Sequence, residues 1–172
     1  VVLLFVRPKY KLGMIPENPK MEKIICKQLE KNELTEEDLL NVDYLFVNAK
    51  YGRVKTLAGI ERLKNLKTLI IYPGKIKSLK PITNLTKLTG IGIARQNKLT
   101  DLQLIGQITT LTDISLRDMP NIDISFLENL RNLNDIAKSE LAKGCLEIGL
   151  IKNEDEISKY YFHSVSHSIG LD

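Results

Sequence analysis

The sequence predicts an α/β solenoid of stacked coils, and two observations carry that prediction. The first is a fixed period. Aliphatic residues stand at Leu57, Ile60, Leu63, Leu66, Leu69 and Ile71, and the same comb returns at Leu79, Ile82, Leu85, Leu88, Ile91 and Ile93. A third copy runs Leu102, Ile105, Ile108, Leu111, Ile114 and Leu116. A fourth begins Ile124, Leu127, Leu130, Leu133 and Ile136, then fails at Lys138. The first teeth of the four copies are 22, 23 and 22 residues apart. Self-similarity on this scale marks units that bury their apolar side only by stacking on one another. The second observation is a change of step within each copy. Four teeth recur every third residue, which suits a tight, 3₁₀-like return segment, and the last two are two apart, which is strand periodicity. A continuous α-helix would not keep a three-residue step, because that stripe drifts around a 3.6-residue turn.

The elements follow in order. Val1–Val6 is apolar but too short for the core of a signal peptide, and segment 1–14 reads as a strand or as the remnant of a longer chain. Asn18-Pro19 reads as a helix start, with Asn as cap and Pro at the first helical position, followed by Met21, Ile24, Ile25 and Leu29 on one face. A second short helix starts at Thr35, where Glu36, Glu37 and Asp38 suit the positive end of its dipole. Tyr44–Val47 reads as the first strand, with Leu45 and Val47 facing in. Residues 15–53 would then form a helical N-terminal cap with that strand, and 54–138 would hold about four repeats. Gly74 and Asn97 follow strands, where the chain must turn. In the tail, 139–172, Leu146, Ile148 and Leu150 alternate like a strand, and Asn153 with Glu156 fits a capping box for a last helix to about Phe162. The tail reads as an end cap or as a partly disordered extension.

The run L-x-x-I-x-x-L-x-x-L-x-x-L-x-I of Leu57–Ile71, with its copies, resembles the 22-residue leucine-rich repeat of bacterial internalins. Ile15–Val54 resembles the helical cap that precedes those repeats, and Val54–Glu61 (VKTLAGIE) resembles the start of the first repeat. Gly74 stands where that pattern has asparagine. The resemblance implies a right-handed leucine-rich-repeat solenoid, a short horseshoe with a helical N-terminal cap, that binds another protein and catalyses nothing. It also implies a secreted or cell-surface location; with no signal peptide visible, a cytoplasmic one stays open.

Composition sets bounds. The 172 residues suit one domain, and a 43% hydrophobic content with no Trp and 6% aromatics points to an aliphatic core. No apolar run is long enough for a membrane-spanning helix. The two cysteines, Cys26 and Cys145, are far apart; Cys26 falls on an apolar helix face and reads as a buried free thiol, although a disulfide stays open. His163 and His167 are the only histidines, and their spacing lacks the Glu of a metalloprotease helix. Neither a metal nor a cofactor is expected, nor a catalytic group.

Surface is what remains. Residues between the strand teeth point outward and stack in columns about 4.8 Å apart. The columns are Tyr44, Thr68, Gly90, Asp113 and Asp135; Phe46, Ile70, Gly92, Ser115 and Ala137; Asn48, Tyr72, Ala94, Arg117 and Ser139. One end therefore gathers Tyr44, Phe46, Ile70 and Tyr72 as apolar anchors for a protein partner, with Arg95, Asp113 and Arg117 placed to orient it. Charge is also uneven. From Lys50 to Lys98 there are twelve basic residues and one acid, Glu61, within a chain of net charge +4. Arg53, Lys75 and Lys98 share one repeat position, and Lys55 and Lys77 another, so stacking makes a basic rim that would steer an acidic patch on the partner. Nucleic acid on that rim, or a structural fragment of a longer repeat protein, are the alternatives; lysine-rich turns more commonly serve solubility.

Overall fold

The computed structural model describes residues 10–48, 54–96, 98–119 and 122–160. Four five-residue strands form one open parallel sheet in chain order: β1 (Tyr44–Asn48), β2 (Thr68–Tyr72), β3 (Gly90–Ala94) and β4 (Asp113–Arg117). The register places Tyr44, Thr68, Gly90 and Asp113 side by side, and Phe46, Ile70, Gly92 and Ser115 beside them. The inward residues Leu45, Val47, Leu69, Ile71, Ile91 and Ile93 are buried.

The return segments are 3₁₀ helices, Ile60–Arg62, Lys80–Ile82, Leu102–Gln107 and Ser125–Asn129. Three residues per turn is what the comb demands, because it keeps every third side chain on the core side. The teeth also bond to one another. Leu63 N–H donates to the Ile60 carbonyl and Leu66 N–H to that of Leu63, both at 3.0 Å; the same pair of bonds joins Ile82, Leu85 and Leu88 in the next coil. Leu57 to Ile71 and Leu79 to Ile93 are buried at every tooth. Burying six such side chains per coil contributes about 1.5–3 kcal/mol each, against the entropy of ordering the coil.

Before the sheet come α1 (Pro19–Gln28) and α2 (Glu36–Asn41). The Asn18 side chain caps α1 by accepting from Met21 N–H at 3.2 Å, and its amide donates to the carbonyls of Thr56 and Ala58 at 2.9 and 3.0 Å. One side chain thus starts the helix and ties it to the first return segment. Thr35 and Asp38 form a capping box on α2, and Lys31 bonds Asp38 at 2.5 Å. That bond and the Thr35 backbone N–H hold the Asp38 carboxyl below its ordinary range. Met21, Ile24, Ile25 and Leu39 join the same core as the repeats.

Glu22 is fully buried, which its place in the sequence does not announce. One carboxylate oxygen accepts from Gly13 and Met14 N–H at 2.8 Å, the other from Ile15 N–H at 3.0 Å. The loop before α1 is therefore wrapped around an anion. Cys26 and Cys145 are both free and buried. Burial pushes the Cys26 thiol up, and the negative charges of Glu22 and Asp38 add to it. Since the thiolate is the reactive form, a thiol reagent at pH 8 is expected to label Cys26 only after denaturant is added. Fast labelling of the native protein, read by mass spectrometry, would contradict this burial.

Three expectations for the C-terminal third are corrected. The fourth copy supplies its return segment and then turns into α3 (Arg131–Glu147), so Asp135, Ala137 and Ser139 lie on a helix and extend no column of the sheet. The repeats therefore do not run on to residue 138 as strand. The alternation of Leu146, Ile148 and Leu150 makes no strand either, since Leu146 lies in the last turn of α3 and the others sit in the turn after it. Ala137-Lys138-Ser139-Glu140-Leu141-Ala142-Lys143 lacks β-branched residues and is rich in strong helix formers, which explains the change. Finally, Asn153 makes no side-chain cap; Glu154–Lys159 is a 3₁₀ helix, and Glu156 instead accepts from Lys152 N–H at 2.8 Å. Val1–Val6, Asn97, His163 and His167 lie outside the described residues, as does Phe162.

Candidate functional site

The outward face of the sheet carries the candidate site. Strand alternation sends Tyr44, Phe46, Ile70 and Tyr72 to this face while their neighbours fill the core. Tyr44 is exposed, and Phe46, Ile70 and Tyr72 are half-buried. They line a hollow of about 570 Å³ with Gly92, Ala94, Ser115, Arg117 and Asp118. Gly90 and Gly92 form the low middle of the face. The atoms nearest a Cβ on Gly92 would belong to the Ile70 side chain, at 3.5 Å or more, so glycine there leaves room rather than relieving strain, whereas a Cβ on Gly90 would crowd Thr68 Oγ1 at 3.3 Å.

Two neighbouring features shape the hollow. At the aromatic end a second hollow of about 470 Å³ lies between α1 and β1, lined by Ile24, Lys27, Gln28, Tyr44 and Phe46. The apolar patch thus continues over the edge of the sheet. At the rim, Arg95 and Asp118 take left-handed backbone angles one residue after their strands, with φ of 53° and 51°. Arg95 Nε donates to Asp118 Oδ2 at 3.0 Å, and its guanidinium lies 5.5 Å from the centre of the Tyr72 ring. The bond to Asp118 first, with Tyr72 and the Asp118 charge, raises the Arg95 pKa further. Tyr72, Arg95 and Asp118 are thus linked across three coils, and Arg95 and Asp118, like Asp113 and Arg117, are exposed.

Asp118 is a lining residue that sequence reading missed. The signal was present: Asp118 holds the repeat position of Arg95 one coil later, and stacking puts opposite charges side by side. Gln96 was missed too. It is buried, its amide oxygen accepts from Ile76 N–H, and its nitrogen donates to the Ala94 carbonyl, both at 3.2 Å. A Cβ on Gly74 would sit 2.9 Å from that nitrogen, so glycine there leaves space for the Gln96 amide.

Of the basic rim, Lys55, Lys75, Lys77 and Lys98 are exposed on the turns, and Arg53 lies outside the described residues. Lys55, Lys77 and Lys80 border a separate hollow of about 520 Å³ that also includes Glu61. Among the described residues no group of three or more His, Cys, Asp or Glu could hold a metal ion. No helix among them is long and apolar enough to cross a membrane.

No family model and no curated protein sequence matches the chain. Solved structures do. An internalin (inlF) from Listeria monocytogenes aligns with 28% identity and a TM-score of 0.61 over 76% of this chain, which spans 38% of that protein. An internalin C2 from the same species aligns with 18% identity and a TM-score of 0.39, over 70% of this chain and 73% of its own. A structure of the CBM51-2 and INT domains of Clostridium perfringens ZmpB aligns with 29% identity and a TM-score of 0.38, over 52% of this chain and 20% of that one. Parallel strands in one open sheet, joined by short return segments, and the likeness to the first of these proteins make this chain an internalin-like leucine-rich-repeat protein.

Proposed function

We propose that the chain is a non-catalytic binding module that docks a partner protein on the outward face of its sheet. The observation that carries this is the patch of Tyr44, Phe46, Ile70 and Tyr72, four large apolar side chains around one hollow, beside a middle strand that presents only Gly90, Gly92 and Ala94 to the same face. Aromatic side chains that face solvent in one cluster are the usual anchors of an interface. The glycine floor admits an inserted side chain or helix, and Asp113, Arg117 and the Arg95–Asp118 pair orient it. The exposed rim lysines would speed the approach of an acidic partner without adding much affinity. Four strands about 4.8 Å apart give a narrow face, so the affinity is modest, on the order of micromolar.

The test is capture of partners from the native host and its surroundings by the immobilised chain, with the Phe46→Ala/Tyr72→Ala variant in parallel. The variant is expected to lose about 30-fold or more in affinity, as when one strong anchor is removed, with an unchanged circular dichroism spectrum. Equal capture by both proteins would end the proposal. Single-stranded RNA, titrated at several salt concentrations, is expected not to bind.

A further inference from the structure

The two edges of the sheet are finished differently. In a parallel strand, alternate residues turn their N–H and C=O to one neighbour and the residues between turn theirs to the other. On β4, Asp113 N–H donates to the Thr89 carbonyl at 3.0 Å and the Arg117 carbonyl accepts from Arg95 N–H at 3.1 Å, so Asp113, Ser115 and Arg117 face β3. Ile114 and Leu116 therefore turn their backbone groups outward. On β1 the corresponding outward groups are the Tyr44 carbonyl and Phe46 N–H, and the Gln28 side-chain amide meets both, at 2.5 and 3.1 Å. Among the described residues nothing comparable meets Ile114 or Leu116.

The side chains agree. Ile91 and Ile93 are 3% and 1% exposed, whereas Ile114 and Leu116, next in the same inward columns, are only half-buried. The fourth coil stacks its return segment Ser125–Asn129 on the third and then departs into α3, so that among the described residues no fifth strand follows β4.

The order of residues on β4 says what fits there. Pair Asp113-Ile114-Ser115-Leu116-Arg117 antiparallel with a second copy of itself, centred on Ser115. Each Asp113 then lies opposite an Arg117, each Ile114 opposite a Leu116, and the two serines meet. The outward N–H and C=O of Ile114 face those of Leu116 in the partner copy, which closes four backbone hydrogen bonds by the antiparallel pattern. Asp113 and Arg117 are exposed, and among the described residues neither is in an ion pair. They stand about 13 Å apart along one strand, too far to pair within the chain. A two-fold axis through Ser115 is an isologous arrangement and puts both outward faces on the same side.

We propose that β4 is a self-complementary edge through which two copies of this chain associate, joining their sheets into one of eight strands. The inference does not depend on the docking reading of the outward face. A five-residue edge is small, so the dimer forms at about 0.1–1 mM rather than at nanomolar concentration.

Sedimentation equilibrium on the full chain, from about 10 μM to 1 mM, tests it. The wild-type mass is expected to rise toward the dimer with concentration. Arg117→Asp, which sets two carboxylates opposite each other at both ends of the pair, is expected to weaken association at least 10-fold. The Asp113→Arg/Arg117→Asp exchange is expected to restore it. Circular dichroism establishes that each variant is folded; both side chains are exposed, so folding does not depend on them. A monomer at every concentration, a dimer indifferent to Arg117→Asp, or an exchange that fails to restore association would each overturn the proposal.

Discussion

Glu22→Ala is expected to lower stability by about 3–5 kcal/mol, because three backbone N–H groups lose their acceptor and Ile15 N–H is left buried with none. For a chain of this length that is a fall of about 10 °C or more in Tm. The loss has a signature that separates it from simple cavity formation. Glu22→Gln keeps the shape and one acceptor oxygen, which can still serve Gly13 and Met14, but its amide nitrogen would face Ile15 N–H donor to donor. An intermediate loss is therefore expected of glutamine. Hydrogen exchange gives a second readout, since the Gly13–Ile15 amides should lose protection in both variants, and most in the alanine one. If Glu22→Gln matches the wild type in thermal unfolding and in exchange, the charge contributes nothing and the account is wrong.

Gly59→Ala is expected to cost about 2–5 kcal/mol. Gly59 opens the first return segment at φ 88°, a backbone conformation that alanine adopts only at a penalty of about 1–2 kcal/mol. Space adds to this. A Cβ would stand 2.2 Å from Ile15 Cγ2 and 3.0 Å from Glu17 Oε1, and Ile15 is fully buried. Overpacking of this sort costs about 1–3 kcal/mol. Urea midpoints of Gly59→Ala, Ile15→Ala and the pair form a double-mutant cycle. The pair is expected to lose clearly less than the two singles together, because removing the Ile15 side chain relieves the clash that the new methyl creates. Strict additivity would show that the contact with Ile15 plays no part.

These two positions lie at the seam between the helices and the repeats, and they show where the sequence is opaque. The comb was legible because burial requires it: a residue that fails to face the core breaks the period, and Leu57 to Ile93 never does. The helix starts at Asn18-Pro19 and Thr35 were legible because helix ends leave backbone groups that only a few side chains can meet, whereas Asp38 shows in the sequence only as a favourable charge and not as the residue that closes a capping box with Thr35. Glu22 was not. Between Met21 and Lys23 it looks like any solvated acid, and its role appears only when Gly13–Ile15 fold back across α1. The change of structure at Arg131 was obscured for a different reason. Leu127, Leu130 and Leu133 continue the three-residue step, and an i, i+3 spacing serves a 3₁₀ segment and the first turns of an α-helix equally well. The outward patch could be assembled from column arithmetic alone, and the same arithmetic could have placed Asp118 beside Arg95, but Gln28 needed the sheet edge in three dimensions.

Successive strands start 24, 22 and 23 residues apart, from Tyr44 to Thr68 to Gly90 to Asp113, yet they pair without a slip. The surplus residue or two is taken up in the turns and return segments. Length and alignment are thus uncoupled in this architecture. A residue gained or lost at a turn lengthens a detour without shifting any rung of the ladder, so the composition of the outward face can drift while its geometry stays put.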